Sequence, residues 1–359
     1  MRFYTFCVKL IASDQVAEAC DACDRKEDLR ALLFAIRITW EGKMEFKPIK
    51  PFLSYEKQLN NLIVKKQLII KDKEYASAKL RDICYYSLID GYKNLFYNPM
   101  NRKYEEGTRF EDIVALYDFD KKLRLLIFQY ICNIEQKVRS LISYHFCETY
   151  SENQSDYLNS HNYNNTKQNS RDIQKLINIL SNEANYNMEH AYVVYQRNTY
   201  GNVPLWVVLN TLTLGQTSKM YSLFTTSIQS RISSNFRSVN EKELGQYLKV
   251  LTHFRNICAH NERLFSFKSR YEITDTLLHQ KLQIPKKGNH YTCGKSDLFG
   301  VMMAFRYLLN REDFLIFKKE FCKLLRVFEK QSSEEKKNRL LVAMGIPRNW
   351  SLIARYKLF

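Results

Sequence analysis

Glycine and proline are scarce, at 10 and 6 residues in a chain of 359. So few breakers argue against a turn-rich sheet sandwich and leave long helices as the default. No apolar run approaches the roughly 20 residues that cross a bilayer. The apolar opening "FYTFCVKLIAS" is interrupted by Lys9 and lacks a small-residue cleavage site. Neither a membrane span nor a signal peptide is predicted, and the expected location is the cytoplasm. The nine cysteines are odd in number, scattered and mostly set in apolar stretches, which fits reduced, buried thiols. Cys20 and Cys23 form the one close pair, with no second pair and no suitably spaced histidine, so a zinc site is not expected. No cluster of acidic residues suited to another metal stands out, and no cofactor is expected.

Against these absences stand a hydrophobic fraction of 45%, enough for a real core, and a net charge of 55 − 38 = +17. A chain this basic is drawn to polyanions, with nucleic acid the default candidate and a lysine-rich solubilising surface the alternative. The 24 tyrosines would suit base stacking, although helix packing accounts for most of them.

The periodicity predicts an all-α protein. Residues 1–43 read as an N-terminal extension carrying the cysteine pair and a short helical pattern, "LRALLFAIRITW", with Met44 as an alternative start. Residues 44–108 read as an N-terminal helical subdomain with two or three short helices. Thr108 is the expected cap of the next helix, with Glu111 completing a capping box. The main helical domain, 109–350, opens with one or two long helices over 109–150. A flexible surface loop is expected over the polar, Asn-rich 151–170, then a helix at 171–184. An apolar helix broken at Gly215 resumes at Thr217 or Ser218. A helix over 241–264, a basic loop over 266–297 and a closing helical pair over 298–330 and 334–345, ended by Gly345-Ile346-Pro347, complete the order.

The stretch "FRNICAHNERLF" (254–265) carries the chemistry. On a helical wheel, Tyr247, Val250, Leu251, Ile257 and Cys258 fall on the side of Phe254 and form a buried stripe. Lys249, Thr252, Asn256, His260 and Arg263 fall opposite. Asn256 and His260 are at i,i+4, and Arg255 flanks them beside the small Cys258 and Ala259. Such a set suits phosphodiester cleavage in RNA. Histidine titrates near neutral pH and can act as acid or base. Arginine offers a permanently charged planar fork for phosphate. Asparagine can orient an imidazole without adding charge. The bare spacing is common, however. Arg139 and His145 nearly repeat it, and they read better as a Glu135–Arg139 helix ion pair beside a surface histidine.

"RNICAHNERLF" resembles the Arg-Asn-x-x-x-His signature of HEPN domains. "FLSYEKQLNNLIVKKQLII", "ICYYSLIDGY", "LYDFDKKLRLLIFQYICNIEQKVRSLISYHF", "VPLWVVLNTLTLGQTSKMYSLF" and "MGIPRNW" resemble, in order and spacing, the Abi (abortive infection, AbiD/AbiF-like) family of bacterial phage-defence proteins. The likeness covers roughly residues 46–350. It implies a HEPN-type helical bundle acting as a metal-independent endoribonuclease, with Arg255, Asn256 and His260 as its catalytic residues. One motif per chain implies a homodimer, because HEPN clefts are built from two facing units. The resemblance also implies a toxin neutralised by an antitoxin, in some members a small RNA. Arg263, Lys286 and Lys287 are the candidate RNA contacts. The competing readings are a non-catalytic RNA-binding or adaptor protein on the same fold, and a DNA-binding regulator, for which no helix-turn-helix is recognisable.

Overall fold

A computed structural model describes residues 51–358, together with the strand residues Ile36–Ile38 and Met44–Phe46. The chain divides into two units, residues 1–58 and 59–359. In the first, strand β1 (Ile36–Ile38) pairs antiparallel with β2 (Met44–Phe46), Ile36 opposite Phe46. The Ile-Arg-Ile alternation thus makes a strand where a helical pattern was expected, and the boundary expected at residue 43 lies between two paired strands. The Cys20–Cys23 pair lies outside the described residues. Helix α1 (Tyr55–Asn60) leads into the second unit.

That unit is all-α apart from short hairpins. Helix α2 (Lys73–Ile83) is followed by the hairpin β3 (Tyr97–Asn98) and β4 (Lys103–Tyr104). Then comes α3 (Phe110–Thr149), one uninterrupted helix of 40 residues, about 60 Å long at 1.5 Å per residue. It contains no glycine or proline. Its buried stripe runs Ile113, Leu116, Leu123, Ile127, Ile131, Ile134, Val138, Ile142 and Phe146, at helical spacing. Its start is one residue later than expected. Arg109 is the cap residue, and its backbone N–H donates to the Asp112 carboxylate at 2.9 Å. Asp112 also accepts from Lys336 Nζ at 3.0 Å and Ser332 Oγ at 3.2 Å. Backbone pairing crosses the boundary expected at residue 108, since Ile69 N–H donates to Thr108 O and Phe110 N–H to Ile69 O.

The helices α4 (Gln154–Tyr157), α5 (Ser170–Tyr186), α6 (Ala191–Tyr200), α7 (Leu205–Val208), α8 (Leu214–Leu223), α9 (Thr226–Ser233) and α10 (Glu241–Ala259) follow. After α11 (Leu277–Lys281) and the hairpin β5 (Lys286–Lys287) and β6 (His290–Tyr291), the chain closes with α12 (Leu298–Leu308), α13 (Arg311–Gln331) and α14 (Glu334–Ala343). Helices α7, α9, α10 and α13 all pack on α3. The phenylalanine row Phe314, Phe317, Phe321 and Phe328 of α13 is buried, with Phe317 against Tyr130 and Phe328 against Phe119 of α3. The expected all-α architecture is therefore present, built around one central rod.

Two segments differ from expectation. The polar stretch 151–170 is held by two buried tyrosines. Tyr157 Oη donates to Val203 O and Tyr163 Oη to Tyr157 O, each at 2.7 Å, and Tyr163 stacks on Phe224. Gly215 does not break a helix. It lies in the first turn of α8, capped by Thr213 and Gln216, and a Cβ there would come within 3.4 Å of Thr252 on α10.

The expected loop 266–297 is also tied down. Buried His279 accepts at Nδ1 from Thr276 N–H at 3.0 Å, and its Nε2 lies 3.0 Å from Gly294 O. The other face of the same peptide segment is held by Asp297, whose carboxylate accepts from Gly294 N–H and Gly300 N–H at 3.0 Å. Burial pushes His279 down to about 4 and Asp297 up to about 6. The signs are opposite. Keeping His279 neutral costs stability as pH falls from the ordinary histidine value toward 4. Protonating Asp297 restores stability as pH falls from about 6 toward the ordinary carboxylate value. Asp297→Asn removes only the second effect. Relative to the wild type, the variant should lose about 3 kcal/mol between pH 6 and pH 4, since one pKa unit corresponds to about 1.4 kcal/mol. Denaturant unfolding across that range measures it, and a difference that stays constant with pH would refute the assignment.

Candidate active site

Helix α10 begins with a reciprocal cap, in which Asn240 Oδ1 accepts from Glu243 N–H and Glu243 Oε2 from Asn240 N–H, both at 2.9 Å. Leu244, Tyr247, Leu248, Val250, Leu251 and Phe254 are buried along its core face, with Ile257 and Cys258 half-buried. The helix stops at Ala259, earlier than the expected 264. Asn261 takes a left-handed conformation (φ 57°), Glu262 N–H returns to Ile257 O at 3.0 Å, and Asn261 N–H reaches Cys258 O at 3.3 Å. This is a Schellman ending with asparagine in the position usually held by glycine. His260 is therefore the C-cap residue, exposed to solvent, and Arg263 lies beyond the helix.

What holds the ending in place is a buried charge on α3. Asp120 is fully buried and occupies a position of the apolar stripe. Its carboxylate accepts from Tyr92 Oη (2.7 Å), Arg124 Nη1 (2.7 Å), Leu264 N–H (3.0 Å) and Phe265 N–H (2.7 Å). Arg124, also buried, donates from Nη1 to Glu262 O at 3.2 Å. Burial pushes the Asp120 carboxyl up, and the four donors oppose that shift. Arg263 joins the same clasp by donating to Gly91 O at 2.5 Å.

The three motif residues face different surroundings. Arg255 is half-buried against α3, its guanidinium 5.6 Å from the centre of the Phe128 ring, and its Nε is buried without a hydrogen-bond partner. Its charge also acts on Cys132 and Glu135. Asn256, exposed, lines a groove of about 410 Å³ between α8 and α10. Lys249 and Thr252 share that wall, as the helical wheel implies. His253, Arg270 and Tyr271 line the groove too and were not singled out from the sequence. His253 packs on the Tyr271 ring at 4.8 Å with Ser269 Oγ 3.1 Å from its Nδ1, while the Arg270 guanidinium lies 5.0 Å from the same tyrosine ring. Burial first, and Arg270 second, push the His253 pKa down. Lys219 lines the groove while paired to Asp172 at 2.7 Å. Arg263, Lys286 and Lys287 do not line it. The two lysines stand exposed on β5, with Lys286 Nζ 4.4 Å from the Tyr291 ring centre.

The second Arg–His pair behaves as its spacing implies. Arg139 is bonded to Glu135 and to Leu212 O, and His145 contacts Glu148 and Asn235. Among the described residues no three His, Cys, Asp or Glu side chains gather as a metal site would require, and no helix is long and apolar enough to cross a membrane.

The profile of a family described as Abi-like protein matches residues 78–266, more than half of the chain. The chain belongs to the Abi-like family. No curated protein and no solved structure matches. The match runs from α2 to the residue after Phe265, so it contains every member of the Asp120 clasp and the whole motif helix. Membership of this family links the chain to abortive-infection defence.

The clasp makes a specific demand. All four partners of Asp120 are donors, so Asp120→Asn turns an amide NH2 toward donors and leaves the Arg124 charge unbalanced. The variant should lose about 3 kcal/mol, as expected when a buried ion pair loses one charge. Hydrogen exchange at the Leu264 and Phe265 amides should accelerate with it. An unchanged denaturation midpoint would remove the clasp from its central role.

Proposed function

We propose that this Abi-like protein is a metal-independent endoribonuclease that acts as a homodimer in antiviral defence, with Arg255, Asn256 and His260 as its catalytic residues. One observation carries the reading. The motif ends a helix whose other face is committed to the core, yet it leaves His260 and Asn256 at the surface, with Asn256 lining a cationic groove.

In this mechanism the ribose 2′-oxygen attacks the adjacent phosphorus and the bond to the 5′-oxygen breaks. The products are a 2′,3′-cyclic phosphate and a free 5′-hydroxyl. His260 moves the proton, either taking it from the 2′-hydroxyl or delivering it to the leaving 5′-oxygen. Arg255 stabilises charge on the phosphoryl oxygens. Asn256 orients the imidazole or the phosphate. A second copy supplies the second histidine, so that acid and base act from opposite sides. Arg255 lies against Phe128 with an unpartnered Nε, which fits a cation held ready for an anion from outside. An antitoxin, of protein or small RNA, would keep such an activity in check.

Labelled RNA tests the assignment. His260→Ala and Arg255→Ala should each slow cleavage at least ~100-fold, and Asn256→Ala less, with unchanged circular dichroism. EDTA should leave the wild-type rate intact, and light scattering should give twice the chain mass. A folded His260→Ala protein that cuts as fast as wild type would end the catalytic reading. RNA binding without any cleavage by the wild type would favour the adaptor reading instead.

The groove gives a separate test. Lys249→Gln with Arg270→Gln should weaken RNA binding about tenfold and flatten its salt dependence, because each phosphate contact releases counterions. Affinity in the double variant equal to wild type at low and physiological salt would place the RNA elsewhere.

A further inference from the structure

A second cavity, of about 440 Å³, lies between α3, the turn after α9, the junction of α12 and α13, and the C-terminal segment. Six cationic side chains line it: Lys137, Arg237, Arg306, Arg311, Arg355 and Lys357. Among the described residues that line it, none has an acidic side chain. Even with Arg237 left aside, the like charges of Lys137, Arg306, Arg311, Arg355 and Lys357 around one small space repel each other, and an anion inside would relieve that repulsion. One further feature points the same way. Arg306 is fixed rather than free, donating to Tyr356 O at 3.1 Å and Ile353 O at 3.4 Å, so one cation of the set is already oriented. Burial and the neighbouring Arg311 both push its pKa down.

The cavity is not purely ionic. Phe236, Leu308, Leu309 and Leu358 supply an apolar wall, and Lys137 Nζ sits 4.3 Å from the Phe236 ring. A bare phosphate would leave that wall unused. The volume falls within the range of small-ligand sites. The site is distinct from the motif, because Lys137 is nine residues beyond Phe128 on α3, about 14 Å along the axis. Four of its six cations lie outside the region matched to the family.

We infer that this cavity binds a small ligand carrying several phosphates and a planar aromatic ring whose face can lie on the apolar wall, that is, a nucleoside triphosphate.

Calorimetric titration of the full chain with ATP and with GTP tests the inference, with a 12-nucleotide RNA as a parallel arm. The variant is Lys137→Gln with Arg311→Gln, two exposed residues, with thermal unfolding as the folding control. At least one nucleotide should bind the wild type, at least tenfold more weakly in the double variant and equally well in Lys249→Gln/Arg270→Gln. The last condition separates this site from the RNA groove, so the nuclease reading can fail without affecting it. No binding of either nucleotide, or equal binding by the folded double variant, would overturn the inference. So would RNA alone binding and losing affinity in that variant, since the cavity would then be part of an RNA path.

Discussion

The ion pair between Asp120 and Arg124 is the constraint on which the rest of the site depends. It puts a charge in the middle of an apolar stripe, where it is tolerated because four donors converge on it, three at Oδ2 and one at Oδ1. Those donors come from three places in the chain: the segment at Tyr92, the central helix itself, and the backbone just past the motif. One carboxylate therefore sets the N-terminal layer, the rod and the end of α10 in a single arrangement. Hydrophobic contact alone would hold α10 against α3 but would leave its last turn free to fray.

With the turn fixed, the three motif residues divide their surroundings. Arg255 looks toward α3, Asn256 into the groove, and His260 stands on the cap. Within one chain they do not converge on an enclosed pocket. On the proposed reading, a second copy would supply what one chain leaves apart.

Much of this was legible in the sequence where the information is local. The 40-residue helix follows from unbroken apolar spacing, the core face of α10 from its wheel, and the end of α14 from Gly345, whose φ is +72°. The ending of α10 was missed because asparagine is an ambiguous stop, adopting left-handed and helical conformations alike. The tyrosine anchors at 157 and 163 were missed because their partners, Val203 and Phe224, are 46 and 61 residues away in sequence. Asp120 did leave a signal, a carboxylate at a stripe position with an arginine four residues on, but spacing does not reveal which distant amides it receives. The groove residues Arg270 and Tyr271 are added by a loop whose course depends on buried His279 and Asp297.

The central helix has a mechanical consequence. Lacking glycine and proline over 40 residues, it has no internal joint and can only flex slightly, like a beam. Phe128, under the motif arginine, and Lys137, at the second cavity, are bolted to the same beam and cannot move apart. Any change of shape linking those two regions has to be carried by what surrounds the beam, by α9 and its turn, α10 and α12. The ring stack between Tyr247 and Tyr307 joins α10 directly to α12.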